Sequence, residues 1–328
     1  MTAGPHPATG PAAGAATGAL SPPPPLTDLP GPAPQRPHIL IVNGRKVRQP
    51  VFVLGAPYSG TYLLATALKR SPGFHVTLGQ RSIVPVVHAF ARTPAIPRGR
   101  PEAAATVLRD AFAQGWQVSP HCCLGCSAAC REASGSPGAA PCVAERSIGR
   151  YGDASPDLLY CAESLVDAFP DARLVQIIRD GRDVAAAMLA DPEALAWFRP
   201  GFVTVDPQSG HPLLGVESAP EQAAWEEASP VGKCAMRWRG TVRLAARLRA
   251  QMSAEQLITL RYEDMIKRPH AAVAAVSAFI GADVTGLAGH VAGTVLEPGT
   301  WRATLTAGQV AEVEQLAGEE LRRVGYGS

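Results

Sequence analysis

The sequence lacks a long uncharged apolar run. A helix that spans a bilayer needs about 20 consecutive apolar residues, and no stretch of this chain reaches that length. The first residues also lack the basic start and the apolar run of a secretory signal peptide. We therefore expect a soluble, cytoplasmic protein with no membrane partner.

An excess of charge of one sign is absent as well. The chain has 30 Lys and Arg against 28 Asp and Glu, which gives a formal net charge of +2 over 328 residues. A general nucleic-acid binder usually carries a strongly basic surface, so we expect no nucleic-acid partner. Local groups of basic residues then matter more than the total charge.

Large apolar side chains are nearly absent from residues 1–37, which consist mainly of Pro, Ala, Gly and Thr. Ordering this segment would cost backbone entropy that no burial offsets. We expect a disordered tail at 1–37 and a single domain at 38–328, since 46% of the chain is hydrophobic and can form one sizeable core. A transit peptide is the alternative for the tail, but such peptides are rich in arginine and this segment is not.

Three segments share a pattern of buried strand, polar turn and helix, namely residues 51–68, 172–190 and 255–281, the last of which ends its helix at Gly281. Repeated units of this kind predict a parallel sheet covered on both faces. An Asn43-Gly44 pair predicts a hairpin turn before the first unit. Residues 191–232 are rich in Pro and Gly and predict an irregular lid or substrate loop.

The turn of the first unit has the spacing of a phosphate-binding loop but lacks its lysine. Gly55 and Gly60 bound the loop, and backbone N–H groups at the start of the following helix would point at an anion; they belong to Ser59, Gly60, Thr61 and Tyr62. A nucleoside triphosphatase places Lys and then Ser or Thr after the second glycine, whereas this chain has Thr61-Tyr62. Hydrolysis of ATP or GTP is therefore disfavoured, and a glycine-bounded turn without a ligand is the simplest alternative.

The second unit places Arg179 directly after a buried strand, where ligands of open α/β sheets bind. An arginine can grip a phosphate through two parallel hydrogen bonds. Ion pairing with Asp180 or Asp183 is the structural alternative for this side chain. Near the carboxyl end of the chain, Trp301 could stack on a base and Arg302 could bind an anion.

Together these features resemble the sulfotransferase family, whose members move a sulfuryl group from 3′-phosphoadenosine 5′-phosphosulfate (PAPS) to a hydroxyl or an amine. The resemblance extends from about Pro50 to Tyr326 and is closest to the bacterial and tyrosylprotein-type branch. It rests on four stretches, PYSGT from Pro57, FPDARLVQIIRDGRDV, RYEDMIKRP followed by FIG, and GTWRATLT.

The resemblance implies a P-loop-like three-layer α/β/α fold with PAPS as co-substrate. It places the 5′-phosphosulfate on the loop, at Tyr58, Ser59, Gly60, Thr61 and Tyr62, and the 3′-phosphate on Arg179, with Arg302. Trp301 would contact the adenosine, and Tyr262 would lie beside the site. A PAPS site needs neither a γ-phosphate nor an obligatory Mg²⁺, which accounts for the missing lysine.

Several family residues are replaced in this chain. Tyr58 stands where the family usually has Lys or Arg, and Ala187 stands where it has Ser. The general base and the charged partner of the tyrosylprotein type are also missing. For the base we predict His88 or Asp153, with His121 and Glu145 as alternatives, and for the cation Arg81.

Five of the 7 cysteines lie in an insert at residues 119–142. The spacing of Cys123, Cys126, Cys130 and Cys142 is compatible with a structural zinc site. Disulfides and inert buried thiols are the two alternatives.

We therefore predict a PAPS-dependent sulfotransferase that acts on a hydroxyl of a small-molecule acceptor. A catalytically impaired PAPS-binding protein on the same fold and a P-loop nucleotide kinase are the alternatives. The sequence leaves a homo-oligomer open.

Overall fold

The structure is a computed structural model that describes Gly4 and residues 39–135, 138–203, 210–293 and 297–327. By its contacts the chain divides into Met1–His38 and Ile39–Ser328. Apart from Gly4, the predicted tail at 1–37 lies outside the described residues. All elements below belong to Ile39–Ser328.

A five-stranded parallel sheet forms the centre of Ile39–Ser328, with the strand order β4-β5-β3-β6-β7. Its strands are β3 (Val51–Gly55), β4 (Phe74–Thr77), β5 (Arg150–Asp153), β6 (Arg173–Ile178) and β7 (Leu257–Arg261). A separate antiparallel hairpin of β1 (Ile41–Val42) and β2 (Arg45–Lys46) precedes it. Its turn is the predicted Asn43-Gly44 pair, and both residues have positive φ, at 52° and 68°, as a tight hairpin turn requires.

The helices follow the strands along the chain. They are α1 (Thr61–Arg70), α2 (Val84–Arg92), α3 (Ala95–Gly99), α4 (Pro101–Gly115), α5 (Ala128–Ala133), α6 (Ala162–Ala168), α7 (Gly181–Leu189), α8 (Pro192–Ala196), α9 (Ala219–Glu227), α10 (Pro230–Gln251), α11 (Tyr262–Lys267), α12 (Pro269–Ile280), α13 (Ala288–Gly293), α14 (Trp301–Thr304) and α15 (Ala307–Arg323). Within the described residues, none is long and apolar enough to span a bilayer.

Helices cover both faces of the sheet, so the fold is the predicted three-layer α/β arrangement. Alternate residues of β3 enter two separate apolar clusters. Phe52 packs with Phe112 of α4 on one face, while Val53 packs with Leu64 of α1 and Val276 of α12 on the other. This alternation is what a central strand buried on both sides requires.

The three predicted strand–helix units are all present, because β3 leads into α1, β6 into α7 and β7 into α11. The predicted end of α12 at Gly281 is confirmed by its left-handed φ of 64°. Thr306 and Gln309 form a capping box at the start of α15.

The sequence pattern missed β4 and β5, and Pro156 after Asp153 has the position of a residue that opens a helix. Asp153 ends β5. Asp157 adopts a left-handed φ of 61°, which interrupts helical geometry, so a 3₁₀ turn at Leu158–Cys161 comes first and α6 begins only at Ala162.

The predicted lid at 191–232 is less irregular than its composition indicated. It contains α8, α9, a 3₁₀ turn at Pro212–Leu214 and the first residues of α10. Residues 204–209 within it lie outside the described part of the chain.

Candidate functional site

The glycine-bounded loop lies at the carboxyl end of β3, beside the end of β6. Gly55 pairs with Ile177 in the parallel register, so the loop after β3 and the residue after β6 emerge at the same edge of the sheet. Inside the loop, Ser59 donates twice to the carbonyl of Ala56, from its N–H at 3.2 Å and from its hydroxyl at 2.7 Å. The loop is therefore a closed turn.

Gly60 is required at the end of this turn. Its φ is 99°, and a Cβ at this position would lie 2.5 Å from Cδ2 of Tyr262. Both the backbone conformation and the close approach of the aromatic ring exclude a larger residue. The ring of Tyr262 thereby supports the loop from the third strand–helix unit.

The first turn of α1 is free of capping side chains. Gly60 is the N-cap residue, no side chain caps the helix, and its first turn contains no acidic residue. The N–H groups at a helix start have no intrahelical partner, so those of Thr61 and Tyr62 present a partial positive charge at this edge of the sheet. The Ser59 N–H, predicted to face an anion, is instead used inside the turn.

Arg179 points into the loop from the end of β6. Its side chain is buried, with the residue 3% exposed. Nη1 donates to the Tyr58 carbonyl at 3.0 Å, and the guanidinium carbon lies 4.4 Å from the ring centroid of Tyr262. The ion pair with Asp183, at 3.8 Å, is long.

The buried Nε of Arg179 has no hydrogen-bond partner in the part of the chain that the structure describes. A buried donor without a partner is costly, and a phosphate oxygen is the kind of acceptor that a guanidinium binds. A phosphate group therefore fits this edge of the loop.

Arg182, three residues further on, has a structural role. It binds Asp180 at 2.9 Å, Glu314 at 3.0 Å and the Tyr326 carbonyl at 2.8 Å. Its donors are engaged by the protein, which separates it from Arg179.

The loop before α14 is tied to α7 through one carboxylate. Asp183 accepts hydrogen bonds from the N–H groups of Gly299 and Trp301 and from the hydroxyl of Thr300. The guanidinium groups of Arg182 and Arg302 lie over the Trp301 ring, at 4.3 and 4.5 Å from its centroid. The ring is thus already in contact with two cations.

A second charged group lies next to the loop and was not predicted. Arg237 of α10 and Asp157 form a buried ion pair at 2.5 Å, and the charge of Arg237 acts on Tyr58 and on His88. The Tyr58 hydroxyl donates to Asp191. Arg237 therefore places a positive charge within electrostatic range of both the loop and α2.

His88 lies half-buried in this neighbourhood. Its ring meets Trp197 edge to face at 4.9 Å between centroids. Burial lowers the pKa of His88 below 6.5, Asp157 partly opposes this shift, and Arg237 adds to it. The imidazole is therefore neutral at pH 7, which is the form a general base needs.

A model of a known protein family matches the part of the chain that contains the loop and Arg179. The model of the Sulfotransferase family matches residues 50–208, the segment that contains β3, the glycine loop, α1, β6 and Arg179. This segment, just under half of the chain, is thus similar to the sulfotransferase family.

Solved sulfotransferases are among the structures to which this chain is similar, at low identity. A sulfotransferase of Mycobacterium avium is 15% identical over 84% of this chain and 77% of its own, with a TM-score of 0.46. The sulfotransferase domain from the curacin biosynthetic pathway is 13% identical over 85% and 99%, with a TM-score of 0.43. A mouse sulfotransferase in complex with PAP is 14% identical over 84% and 86%, with a TM-score of 0.40. A comparison with curated protein sequences finds no match.

The other predicted catalytic residues lie in different settings. Asp153 is fully buried and accepts hydrogen bonds from the Thr77 hydroxyl at 2.5 Å and the Ser155 N–H at 2.7 Å. Burial raises the pKa of Asp153 to about 7, although these hydrogen bonds oppose the shift. The side chains of Arg81, His121 and Glu145 are exposed.

The zinc prediction is wrong. The described residues contain no group of three or more His, Cys, Asp or Glu side chains that could hold a metal ion. Cys123, Cys126, Cys130 and Cys142 are free thiols. Lys69 donates to the Cys142 sulfur at 3.2 Å, and its positive charge next to the thiols opposes a second cation.

The sequence did not show that Arg237 and Asp157 are buried. The sequence of α10 has many basic residues, which are usually exposed, and Asp157 follows a proline with no local sign of an ion pair. The two residues are 80 positions apart in the chain and meet only in the folded structure. This contact identifies them as part of the site.

Proposed function

We propose that the protein transfers a sulfuryl group from PAPS to a hydroxyl of a small-molecule acceptor. The observation that supports this most strongly is the buried Arg179, which faces the glycine loop and keeps an unpaired Nε beside the uncapped start of α1. Two anion-binding features then lie at neighbouring strand ends. A nucleotide with phosphates at both its 3′ and 5′ positions suits that pair of features.

On the donor side, the N–H groups of Thr61 and Tyr62 hold the 5′-phosphosulfate and Arg179 holds the 3′-phosphate. The loop lacks the lysine and the hydroxyl residue with which P-loop enzymes bind a γ-phosphate and Mg²⁺. Binding is therefore expected to be independent of Mg²⁺. Arg302 is exposed and can add a second cation, while Trp301 keeps the neighbouring guanidinium groups in place.

On the acceptor side, His88 is the proposed general base. PAPS supplies the activated sulfuryl group. A neutral imidazole nitrogen of His88 takes the proton from the acceptor hydroxyl as its oxygen attacks the sulfur in line, and the S–O bond to the 5′-phosphate breaks to release 3′,5′-ADP. Arg237, close to both Tyr58 and His88, provides positive charge near the loop where the family usually has Lys or Arg. Trp197 and Tyr58 supply aromatic surface for the acceptor.

Asp153 is a weaker candidate for the base because it has no exposed surface and is held by Thr77 and Ser155. We assign it to fixing the end of β5. Arg81 keeps its side chain in solvent, and its N–H binds the Gly125 carbonyl at 2.8 Å, so its role is to anchor the cysteine insert.

A nucleotide-binding protein without transferase activity is the second candidate. It is favoured by Tyr58, which replaces the loop cation, and by Ala187, which replaces the serine of the 3′-phosphate site. Both changes remove groups that the family uses to hold or activate the donor.

One experiment separates the candidates. Binding of 3′,5′-ADP and of ATP is measured by calorimetry with and without Mg²⁺, and transfer from PAPS is then assayed on a panel of phenols and alcohols. Binding of 3′,5′-ADP without Mg²⁺ together with transfer supports the proposal. Binding without transfer to any acceptor favours the binding protein, and ATP binding that depends on Mg²⁺ favours a nucleotide kinase.

A further inference from the structure

Arg179 lies in a short gap between two regular elements. β6 ends at Ile178 and α7 begins at Gly181, so the peptide unit between Arg179 and Asp180 belongs neither to the strand nor to the helix. Buried backbone groups at such a position need hydrogen-bond partners from elsewhere in the fold. The partners of this peptide unit fix the direction in which the Arg179 side chain leaves the sheet.

The carbonyl of this peptide unit is held by a tryptophan of α10. Trp238 Nε1 donates to the Arg179 carbonyl oxygen at 3.1 Å, and Trp238 is 1% exposed. A Cβ at Gly181 would lie 2.6 Å from Cδ2 of Trp238, so the indole packs directly against the first turn of α7. The cavity that Trp238 shares with Ser59 and Arg179 has a volume of about 10 Å³, enough for one water molecule at most. The indole therefore has little room to shift.

The N–H of the same peptide unit is held by a carboxylate of α11. Glu263 Oε1 accepts a hydrogen bond from the Asp180 N–H at 3.0 Å. Glu263 Oε2 accepts one from the Tyr326 hydroxyl, which fixes the carboxylate in turn. A hydrogen bond to a carboxylate is stronger than one between neutral groups. Side chains from two helices, α10 and α11, thus hold the two sides of one peptide plane.

This hold on the backbone bears on the guanidinium of Arg179. Nη1 bonds to the Tyr58 carbonyl, and the guanidinium carbon lies over the Tyr262 ring. A guanidinium grips a phosphate through two parallel hydrogen bonds only when its planar fork faces that phosphate. Because a binding side chain keeps its aim only when neighbouring groups lock it, a rotation of the peptide plane at the strand end would turn the fork away.

We propose that Trp238 and Glu263 are positioning residues that aim Arg179 at a phosphate on the 3′ position of the nucleotide ribose. Their role rests on the proposed function, since it needs the 3′-phosphate assigned to Arg179. A guanidinium held in one place favours a phosphate at the 3′ position over one at the 2′ position. The two residues therefore set the specificity of the site for its nucleotide without contacting it.

Calorimetric titration with 3′,5′-ADP and 2′,5′-ADP tests this role. The two nucleotides have the same charge and the same base, and they differ only in the position of one phosphate. Trp238→Phe removes the indole N–H and keeps an aromatic ring, so the affinity for 3′,5′-ADP should fall by about threefold to tenfold, the effect of one hydrogen bond. The weaker affinity for 2′,5′-ADP should not change. The matched control is Trp225→Phe, at a buried tryptophan of α9 that packs against Phe198, and it should leave both affinities unchanged.

Glu263 provides a second test that does not depend on the folding of the tryptophan variant. Glu263→Leu removes the acceptor of the Asp180 N–H and should weaken the binding of 3′,5′-ADP in the same selective way. Glu263→Gln keeps a side-chain oxygen and should restore most of the affinity. In the Arg179→Ala background, Trp238→Phe should have no further effect on 3′,5′-ADP, because the side chain through which Trp238 acts is gone.

Equal losses for 3′,5′-ADP and 2′,5′-ADP would show that the variants only loosen the fold, and would overturn the proposal. An unchanged affinity for 3′,5′-ADP in Trp238→Phe and Glu263→Leu, or an undiminished loss in the Arg179→Ala background, would overturn it as well. An unaltered chain that binds 3′,5′-ADP no more tightly than 2′,5′-ADP would contradict the proposed function itself, and the role of both residues with it. That outcome is seen before any variant is made, so the two failures are distinguishable.

Discussion

Arg179→Ala tests the two anion-binding features separately. The substitution removes the guanidinium whose Nη1 binds the Tyr58 carbonyl and whose Nε is unpaired. The N–H groups at the start of α1 are unchanged. The variant should therefore bind a 3′-phosphate more weakly and bind a 5′-phosphate as before.

The magnitude follows from the kind of bond that is lost. A hydrogen bond to a charged group contributes about 1.5 to 3 kcal/mol, and every 1.4 kcal/mol is about a tenfold change in affinity. The affinity for 3′,5′-ADP should thus fall by about 10-fold to 150-fold. The affinity for 5′-AMP, which lacks the 3′-phosphate, should change by less than about fivefold, since the bond to Tyr58 contributes only about 1 kcal/mol to the shape of the loop.

Calorimetric titration of both nucleotides measures this difference. Arg179→Lys keeps the charge but not the forked geometry and should give an intermediate loss for 3′,5′-ADP. Arg323→Ala is the matched control, because Arg323 is exposed and, among the described residues, forms an ion pair only with Glu319 of its own helix. Equal losses for 3′,5′-ADP and 5′-AMP, or an unchanged affinity for 3′,5′-ADP, would refute the assignment of Arg179 to the 3′-phosphate.

Three further predictions concern catalysis and stability. His88→Gln should lower kcat in the PAPS assay by a factor of about 10² to 10⁴. Because the pKa of His88 lies below 6.5, the rate of the unaltered enzyme should stay level through neutral pH and fall only below pH 6.5. A fall in rate that begins above pH 7 would contradict His88 as the base. Gly60→Ala forces a φ of 99° on a residue with a Cβ 2.5 Å from Tyr262 and should cost about 1 to 3 kcal/mol in thermal unfolding; an unchanged melting temperature would show that the turn can rearrange. Arg237→Met leaves the Asp157 carboxylate buried and unpaired, so the free energy of unfolding in urea should fall by about 3 to 5 kcal/mol. A free energy of unfolding within error of the unaltered chain would mean that the pair is hydrated.

The three strand–helix units could be predicted because each has a local pattern. A buried apolar run, a polar turn and a helical period follow one another within about 20 residues, so no distant contact is needed to recognise them. β4 and β5 could not be recognised in this way. Each is four residues long, and β4 contains His75, so their strand character comes from pairing with a neighbouring strand.

The site divides in the same manner. The loop and Arg179 could be predicted because each directly follows a strand, and parallel strands bring their carboxyl ends to one edge. The use of the Ser59 N–H inside the turn, the contact of Trp301 with two guanidinium groups, and the role of Lys69 next to the cysteines depend on distances between segments that are far apart in the chain.

The sequence by itself determined the layered α/β fold, the position of the phosphate loop and the strand-end arginine, because these follow from periodicity and from residues close together along the chain. Only the tertiary structure decided which charges are buried and what pairs with them. Asp157 with Arg237 and Lys69 with the thiols of the insert are such cases. Burial and pairing set the cost of a charge, and both are properties of the packed chain.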